Sequence, residues 1–366
     1  MDTETKNAPI TLNRRKLKSL LHDSEKCAEA INLVYVTDQQ PGISRVKHGK
    51  GFTYMMDGKE ITDADTQARI KSLVLPPAWE QVWICPLANG HLQATGTDKL
   101  NRKQYQYHPL WNTLRNQTKF FHLQDFGKAL PNMRERLNAD MKLPGLPLNK
   151  VLATVVSLME DTGIRVGNSM YEKLYGTFGV TTLKDKHVAI KGSQMTFSFK
   201  GKKGVYHNIK LKSKRLSTIV KQCRDIPGKE LFQYYDEDGK RHSIDSGMVN
   251  AYIKEVCGES FTSKDFRTWT GTLCALETFS ALEYCDTITE TKKKVVETLD
   301  VVAAHLGNTR SVCKKYYVHP VVVDHYTNKT LDRYVCKSPD TDGCYSIGEQ
   351  TLMRILDDIK VAVIAA

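Results

Sequence analysis

The sequence predicts an α+β chain: a small, mainly β N-terminal domain, then a mostly α-helical domain that carries one β-hairpin. Three patterns predict it. Between residues 31 and 112, short β-branched and aromatic runs are broken by Gly, Pro and Asp. From about residue 110 apolar residues recur at helical spacing. Within that helical part, Met195–Lys200 and Val205–Leu211 alternate like strands on either side of Gly201-Lys202-Lys203-Gly204, as a hairpin with a glycine-flanked tip does. A chain of 366 residues can bury two separate cores. The expected division is a polar extension over 1–30, a β-rich domain over 31–112 and a helical domain over 113–366.

In chain order, a short helix is expected near Ser24–Ile31, and strand-like runs at Leu33–Val36, Gly51–Tyr54, Val82–Cys85 and His91–Gly96. Pro144-Gly145-Leu146-Pro147 breaks the helical pattern. Val151, Leu152, Val155, Val156, Leu158 and Met159 then share one helical face, and Gly163 stops that helix just before Arg165. Leu273, Leu276, Phe279 and Leu282 line a helix expected to begin near Arg267. Val295, Val296, Leu299, Val302, Ala303 and Leu306 line another, and Leu352–Ile364 reads as a last amphipathic helix.

The formal net charge of +12 biases the chain toward a polyanionic partner. No apolar run approaches the roughly 18 residues a membrane span needs, and no secretory signal is visible. Asn13–Lys18 reads as a basic surface arm. Nine cysteines without a Cys-x-x-Cys pair suggest neither a metal site nor a disulfide framework; free thiols in a reducing cytoplasm are expected. There is no P-loop, Gly-x-Gly-x-x-Gly or His-Glu-x-x-His, so no cofactor is expected and ATP-driven or zinc chemistry finds no support.

Arg165, Lys202, Arg267 and Tyr317 follow one another in an order that suits attack on a phosphodiester. Such a reaction needs an in-line nucleophile, charge stabilisation on the nonbridging oxygens and a proton for the leaving oxygen. Guanidinium forks suit the second task where no metal is bound. A lysine among other cations can supply the proton. Tyr316 and Tyr317 are both available as nucleophiles, and periodicity does not choose between them.

Thr162-Gly163-Ile164-Arg165, the Gly201-Lys202 hairpin, Lys264-Asp265-Phe266-Arg267 and Leu306-Gly307-Asn308-Thr309 leading to Tyr317 resemble the type IB DNA topoisomerases of the small poxviral and bacterial kind. The resemblance also covers Leu33–Val36, Pro41-Gly42-Ile43, Gly49–Phe52, Pro76–Trp79, Gly96-Thr97-Asp98 and Arg102–Tyr107. It implies a tyrosine-recombinase-like catalytic domain and a two-domain clamp around duplex DNA. It implies that Tyr317 forms a 3′-phosphotyrosine without ATP or metal, because the family tyrosine lies nine residues after the position of Asn308. Arg165 and Arg267 would bind the nonbridging oxygens. Lys202, which follows the glycine as the family lysine does, would protonate the 5′-oxygen, with or without help from Arg165. Asn308 would donate to a nonbridging oxygen where many relatives carry histidine. Nine helical steps of about 100° end on the opposite face, so the chain must bend after Asn308 or deliver Tyr317 on a separate element.

Lys202, Lys203, Lys210 and Lys212 lie in a stretch, 201–215, that holds no acid, as phosphate contacts would. Arg102, Lys103, Gln104, Tyr105 and Tyr107 mix cations, an amide and aromatics, a set that suits base edges and flanking backbone. The nearest rival is a tyrosine recombinase, which usually carries His-x-x-Arg where this chain has Lys264-x-x-Arg267. A catalytically inactive architectural DNA-binding protein is the rival from another class. The expected protein is a monomer, in the cytoplasm with the nucleoid or, if viral, with viral DNA.

Overall fold

The computed structural model describes residues 10–13, 23–49, 51–258, 261–338, 343–359 and 361–364. The basic segment after Asn13 lies outside them. The chain forms two compact units, Met1–His122 with Ile359–Ala366, and Leu123–Asp358.

The first unit contains β1 (Ile10–Asn13), α1 (Ser24–Glu29), β2 (Ile43–His48), β3 (Gly51–Met56), β4 (Lys59–Glu60), α2 (Ala64–Ser72), β5 (Glu80–Ile84), β6 (Leu92–Thr97) and β7 (Lys103–Tyr107). Strands β2–β7 make one antiparallel sheet of order β4-β3-β2-β5-β6-β7. Ile70 of α2 is buried with Ile43, Val82, Ile84 and Ala94 of the sheet. Gly96 is required where it stands, since a Cβ there would come 2.7 Å from the Trp79 ring. At the sheet edge, β7 pairs Tyr105 with Thr95 and Gln104 with Gly96.

Leu33–Val36 is not a strand. It makes one isolated bridge, Val34 to Gly90, while Leu33 and Val36 are buried as core anchors. β-type residues are used here for burial, and the Val36 amide goes to the His91 ring at 3.1 Å instead of to a ladder.

Helix α3 (Pro109–Asp140) begins in the first unit, with Trp111 and Leu114 in its core, and continues in the second, where Phe126, Leu130, Met133 and Leu137 are buried. The second unit adds α4 (Leu148–Thr162), α5 (Ser169–Tyr175), β8 (Val188–Lys191), β9 (Gln194–Lys200), β10 (Tyr206–Lys212), α6 (Lys214–Arg224), β11 (Gln233–Tyr235), β12 (Arg241–Ser243), α7 (Ser246–Cys257), α8 (Ser263–Ser280), α9 (Ile288–Leu306), α10 (Arg310–Tyr316), α11 (Pro320–Thr327) and α12 (Ile347–Asp357). Helix α4 is central: it packs on α6, α7 and α8, and its residues from Val151 to Val156 are all buried. Strands β8–β10 form a small antiparallel sheet, with His207 opposite Phe199.

Two expected boundaries move. Helix α8 starts at Ser263, not near Arg267, because Thr262 and Asp265 form a capping box in which Asp265 accepts from the Thr262 amide at 2.8 Å. Arg267 therefore lies inside the helix. The last helix is Ile347–Asp357 instead of Leu352–Ile364. The β-branched run beyond it forms β13 (Val361–Ile364), antiparallel to β1, a pairing over some 350 residues that no local pattern announces. Among the described residues no helix is long and apolar enough to cross a membrane.

Candidate active site

Four of the five predicted catalytic residues meet where α4 and α9 end. Gly163, at φ +62°, closes α4 by donating its amide to Met159. Ile164 is buried, and Arg165 follows in a loop that is held firmly. The Arg165 carbonyl accepts from Val180 at 2.8 Å, and the Val166 carbonyl accepts from the Thr181 amide and hydroxyl. Gly179 sits so close that a Cβ would fall 2.5 Å from the Arg165 carbonyl oxygen. At the other helix, Gly307 takes φ +58° and ends α9, and Asn308 turns the chain into α10. Tyr317 is the residue after α10. It thus arrives on a separate short helix, the second of the two routes the spacing allowed.

Arg267 is 3% exposed and donates to the carbonyls of Gly163 and Leu306, the latter at 2.9 Å. It thereby ties together the C-terminal ends of α4 and α9, where unpaired carbonyls and helix dipoles favour a cation. Its guanidinium carbon lies 5.0 Å from the centre of the Tyr317 ring, within cation–π range. Its Nε is buried with no hydrogen-bond partner. Arg165 Nη2 donates to Asn308 Oδ1 at 2.6 Å. The Tyr317 carbonyl accepts from Thr272 Oγ1 at 3.1 Å, and the same hydroxyl accepts from the His319 amide. Burial, and then the adjacent Arg267 charge, pull the Arg165 guanidinium down to about 10, still cationic at neutral pH. Burial pushes the Cys313 thiol, one turn before Tyr317, up to about 11, so it stays protonated and inert. Two guanidiniums and an amide beside a tyrosine are donors that suit an anion.

The fifth residue stands apart. Lys202 opens a 3-10 turn at the tip of the β9–β10 hairpin, exposed, and its ammonium has no side-chain partner among the described residues. Lys203 beside it is exposed in the left-handed region, φ 61°. Tyr316 is 38% exposed, with the Lys315 ammonium 5.3 Å from its ring centre, and it has no such contact with Arg267.

The family model for the catalytic core of eukaryotic DNA topoisomerase I matches residues 108–335, and that for the bacterial DNA topoisomerase IB N-terminal domain matches 51–98. The chain is 32% identical over 296 residues to DNA topoisomerase 1B of Acanthamoeba polyphaga mimivirus, covering 78% of this chain and 88% of that protein. The chain belongs to the type IB DNA topoisomerases. It is also 23% identical over 305 residues to DNA topoisomerase 1B of vaccinia virus (strain Copenhagen) and to DNA topoisomerase I of monkeypox virus, covering 83% of this chain and 88% of each. The protein is therefore an isomerase that binds DNA, and the recombinase reading gives way.

In this topoisomerase Arg102 and the edge strand β7 after it hold the set expected to face DNA, and three of its members are tied to carboxylates. Arg102 pairs with Asp98 through Nε at 2.8 Å and Nη2 at 2.7 Å, and Gln104 donates to the same oxygen at 2.9 Å. Lys103 pairs with Asp38 at 2.5 Å. Tyr105 and Tyr107 stack at 6.0 Å, with Tyr105 49% exposed. Lys210 and Lys212 are exposed on the outer face of β10, in line with Asn208 and opposite Thr196 and Gln194.

Sequence reasoning missed three supports of the site. Gly271 and Thr272 of α8 receive Tyr317: a Cβ on Gly271 would come 2.9 Å from the Tyr317 carbonyl oxygen. His207 is buried on the inner face of the hairpin, stacked on Phe199 at 4.9 Å. The alternation of Val205–Leu211 is the one sequence signal that bears on His207, and only the fold brings it to Gly307.

Proposed function

We propose that this topoisomerase relaxes supercoiled duplex DNA through a transient single-strand nick, with Tyr317 as nucleophile. Tyr317 gives up its phenolic proton to water, its oxygen attacks phosphorus, and the bond to the 5′-oxygen breaks. Lys202 gives its proton to that oxygen, leaving a 3′-phosphotyrosyl ester and a 5′-hydroxyl end. Reversal of the same steps reseals the strand. Because the ester conserves the bond energy, neither ATP nor metal enters the reaction. Arg165, Arg267 and Asn308 stabilise the charge that grows on the nonbridging oxygens. Lys203, Lys210 and Lys212 contact phosphates, while Arg102, Lys103, Gln104, Tyr105 and Tyr107 face the duplex from the β-rich domain, the two domains closing as a clamp on the DNA. The enzyme acts as a monomer wherever its DNA lies, nucleoid or viral.

The observation that carries this reading is the meeting of Arg165, Arg267, Asn308 and Tyr317 at the joined ends of α4 and α9. It also supports Tyr317 over Tyr316. The test is plasmid relaxation in EDTA without ATP. Wild type should relax the plasmid, and Tyr317→Phe should neither relax it nor form a covalent DNA adduct. Loss of the adduct in Tyr316→Phe with its retention in Tyr317→Phe would transfer the nucleophile to Tyr316. Intact supercoils with wild type would defeat the metal-free mechanism.

A further inference from the structure

We propose that His207 is a positioning residue of the cleavage step: its ring is the spacer that holds the hairpin tip bearing Lys202 against the Gly307–Asn308 turn. The proposal rests on the reading of Lys202 as proton donor. Lys202 is the one catalytic residue with no direct contact to the others, so something must set its distance from them. Two glycines show what does. Gly201 immediately precedes Lys202, and a Cβ on it would fall 2.6 Å from His207 Cδ2 and Nε2. Gly307 immediately precedes Asn308, and a Cβ on it would fall 2.7 Å from His207 Nε2 and overlap Cε1. One imidazole is thus wedged between the backbone before the proton donor and the backbone before the phosphate-binding amide. No side chain larger than hydrogen fits at either position.

The wedge is rigid. His207 is 8% exposed, and its ring lies nearly parallel to Phe199, the residue opposite it in the hairpin, at an interplanar angle of 17°. The tip is closed by Gly201 donating to Val205 at 2.7 Å and Gly204 donating to Gly201 at 3.0 Å, so a push on Gly201 reaches Lys202 directly. Its charge state suits the task. Burial, and then Arg165 and Arg267, hold the imidazole down at about 4, so it is neutral at neutral pH. A protonated ring would add a third cation beside the buried Arg267 and the half-buried Arg165. A neutral one supplies thickness without charge.

A shift of the tip should damage proton delivery while sparing attack by Tyr317. Single-turnover cleavage is measured on duplexes whose scissile bond carries either a 5′-bridging oxygen or a 5′-bridging sulfur, which leaves without protonation. Wild type, Lys202→Ala, His207→Ala, His207→Asn and Gly201→Ala are compared, each with its melting temperature. His207→Ala should lose on the order of 10- to 100-fold on the oxygen substrate, the cost of misplacing a catalytic group by up to about 1 Å, and recover most of it on sulfur. His207→Asn, planar and neutral, should lose less. Gly201→Ala pushes the same contact with the ring intact and should show the same selective loss, which keeps the test decisive should His207→Ala fold poorly. Equal losses on both substrates in His207→Ala and Gly201→Ala, with Lys202→Ala rescued by sulfur, would overturn the positioning role alone. Failure of sulfur to rescue Lys202→Ala would instead remove the proton-donor reading, and this proposal with it.

Discussion

Arg267→Ala should cost this enzyme both stability and rate, by amounts that separate its two tasks. The side chain is 3% exposed and caps two buried carbonyls, Gly163 at the end of α4 and Leu306 at the end of α9. A hydrogen bond from a charged donor contributes about 1.5–3 kcal/mol, so losing two costs roughly 3–6 kcal/mol. Part returns, because the neighbouring Arg165 is held down by burial and by the Arg267 charge and would be relieved of the latter. A net loss of about 2–4 kcal/mol remains, which lowers the melting temperature by roughly 4–16 °C for a unit of this size. On the chemistry, removing one preorganised donor from a developing oxyanion costs about 10²–10³ in rate. Arg267→Lys keeps the charge but replaces the fork with a point donor. It should recover much of the stability and little of the rate. The assays are thermal unfolding by circular dichroism and single-turnover formation of the covalent adduct. A melting temperature within about 2 °C of wild type would refute the two-carbonyl account. Adduct formation by Arg267→Ala within about three-fold of wild type would refute the phosphate role.

Other changes test neighbouring links. Gly271→Ala gains about 1 kcal/mol of helix propensity, but its Cβ meets the Tyr317 carbonyl oxygen at 2.9 Å and Leu306 Cδ1 at 3.0 Å. Melting should move little while adduct formation falls roughly ten-fold, and an unchanged rate would show that the Tyr317 backbone tolerates displacement. Acid should destabilise the protein through His207, whose folded value of about 4 lies below the ordinary 6.5. The unfolded chain binds the proton first, so this contribution is full above about pH 6.5 and is lost as pH falls toward 4, about 3 kcal/mol in all. Urea unfolding of His207→Asn should show a shallower loss over that window, and parallel curves would contradict the assignment. The Lys210→Ala/Lys212→Ala double variant should reduce the salt slope of DNA binding by about 2. A slope unchanged within error would take both lysines off the phosphates.

Much of the site was legible because its chemistry sits in short local signatures. Gly163 before Arg165 announces a helix end followed by a cation, and Gly201 and Gly204 announce a hairpin tip. What was not legible depends on contacts distant in sequence. Thr262 and Asp265 cap α8 early, so Asp265, two residues before Arg267, has a structural task. The strand beyond α12 exists only because Ile10–Asn13 lies beside it. Leu33–Val36 has the residues of a strand but lacks a partner ladder. His207 gives no signal in sequence beyond inward alternation, since its importance arises from Gly307, 100 positions later. The acidic partners of Arg102 and Lys103 show the same limit. Asp98 is near in sequence, but Asp38 reaches Lys103 only through the sheet.

The helix ends explain why the site needs two arginines of unlike kind. A phosphate pocket is usually built on helix N-termini, where amides and dipole attract the anion. Here two C-termini converge, and their carbonyls would repel it. Arg267 answers that repulsion: two of its nitrogens are spent on Gly163 and Leu306, and its Nε stays buried without a partner. Among the described residues Arg165 makes no such bond to the helix ends, and its Nη2 donates to Asn308 Oδ1 at 2.6 Å. A guanidinium can only donate, so it fixes the Asn308 amide with oxygen toward Arg165 and Nδ2 turned away. Nδ2 then has only a long contact, 3.4 Å, to the Leu306 carbonyl, and it can turn to an incoming nonbridging oxygen at little cost. On the proposed mechanism, asparagine would serve as a donor without a charge of its own, oriented by Arg165. A further cation beside Arg165, already pulled down to about 10 by burial and then by the Arg267 charge, would add to that repulsion.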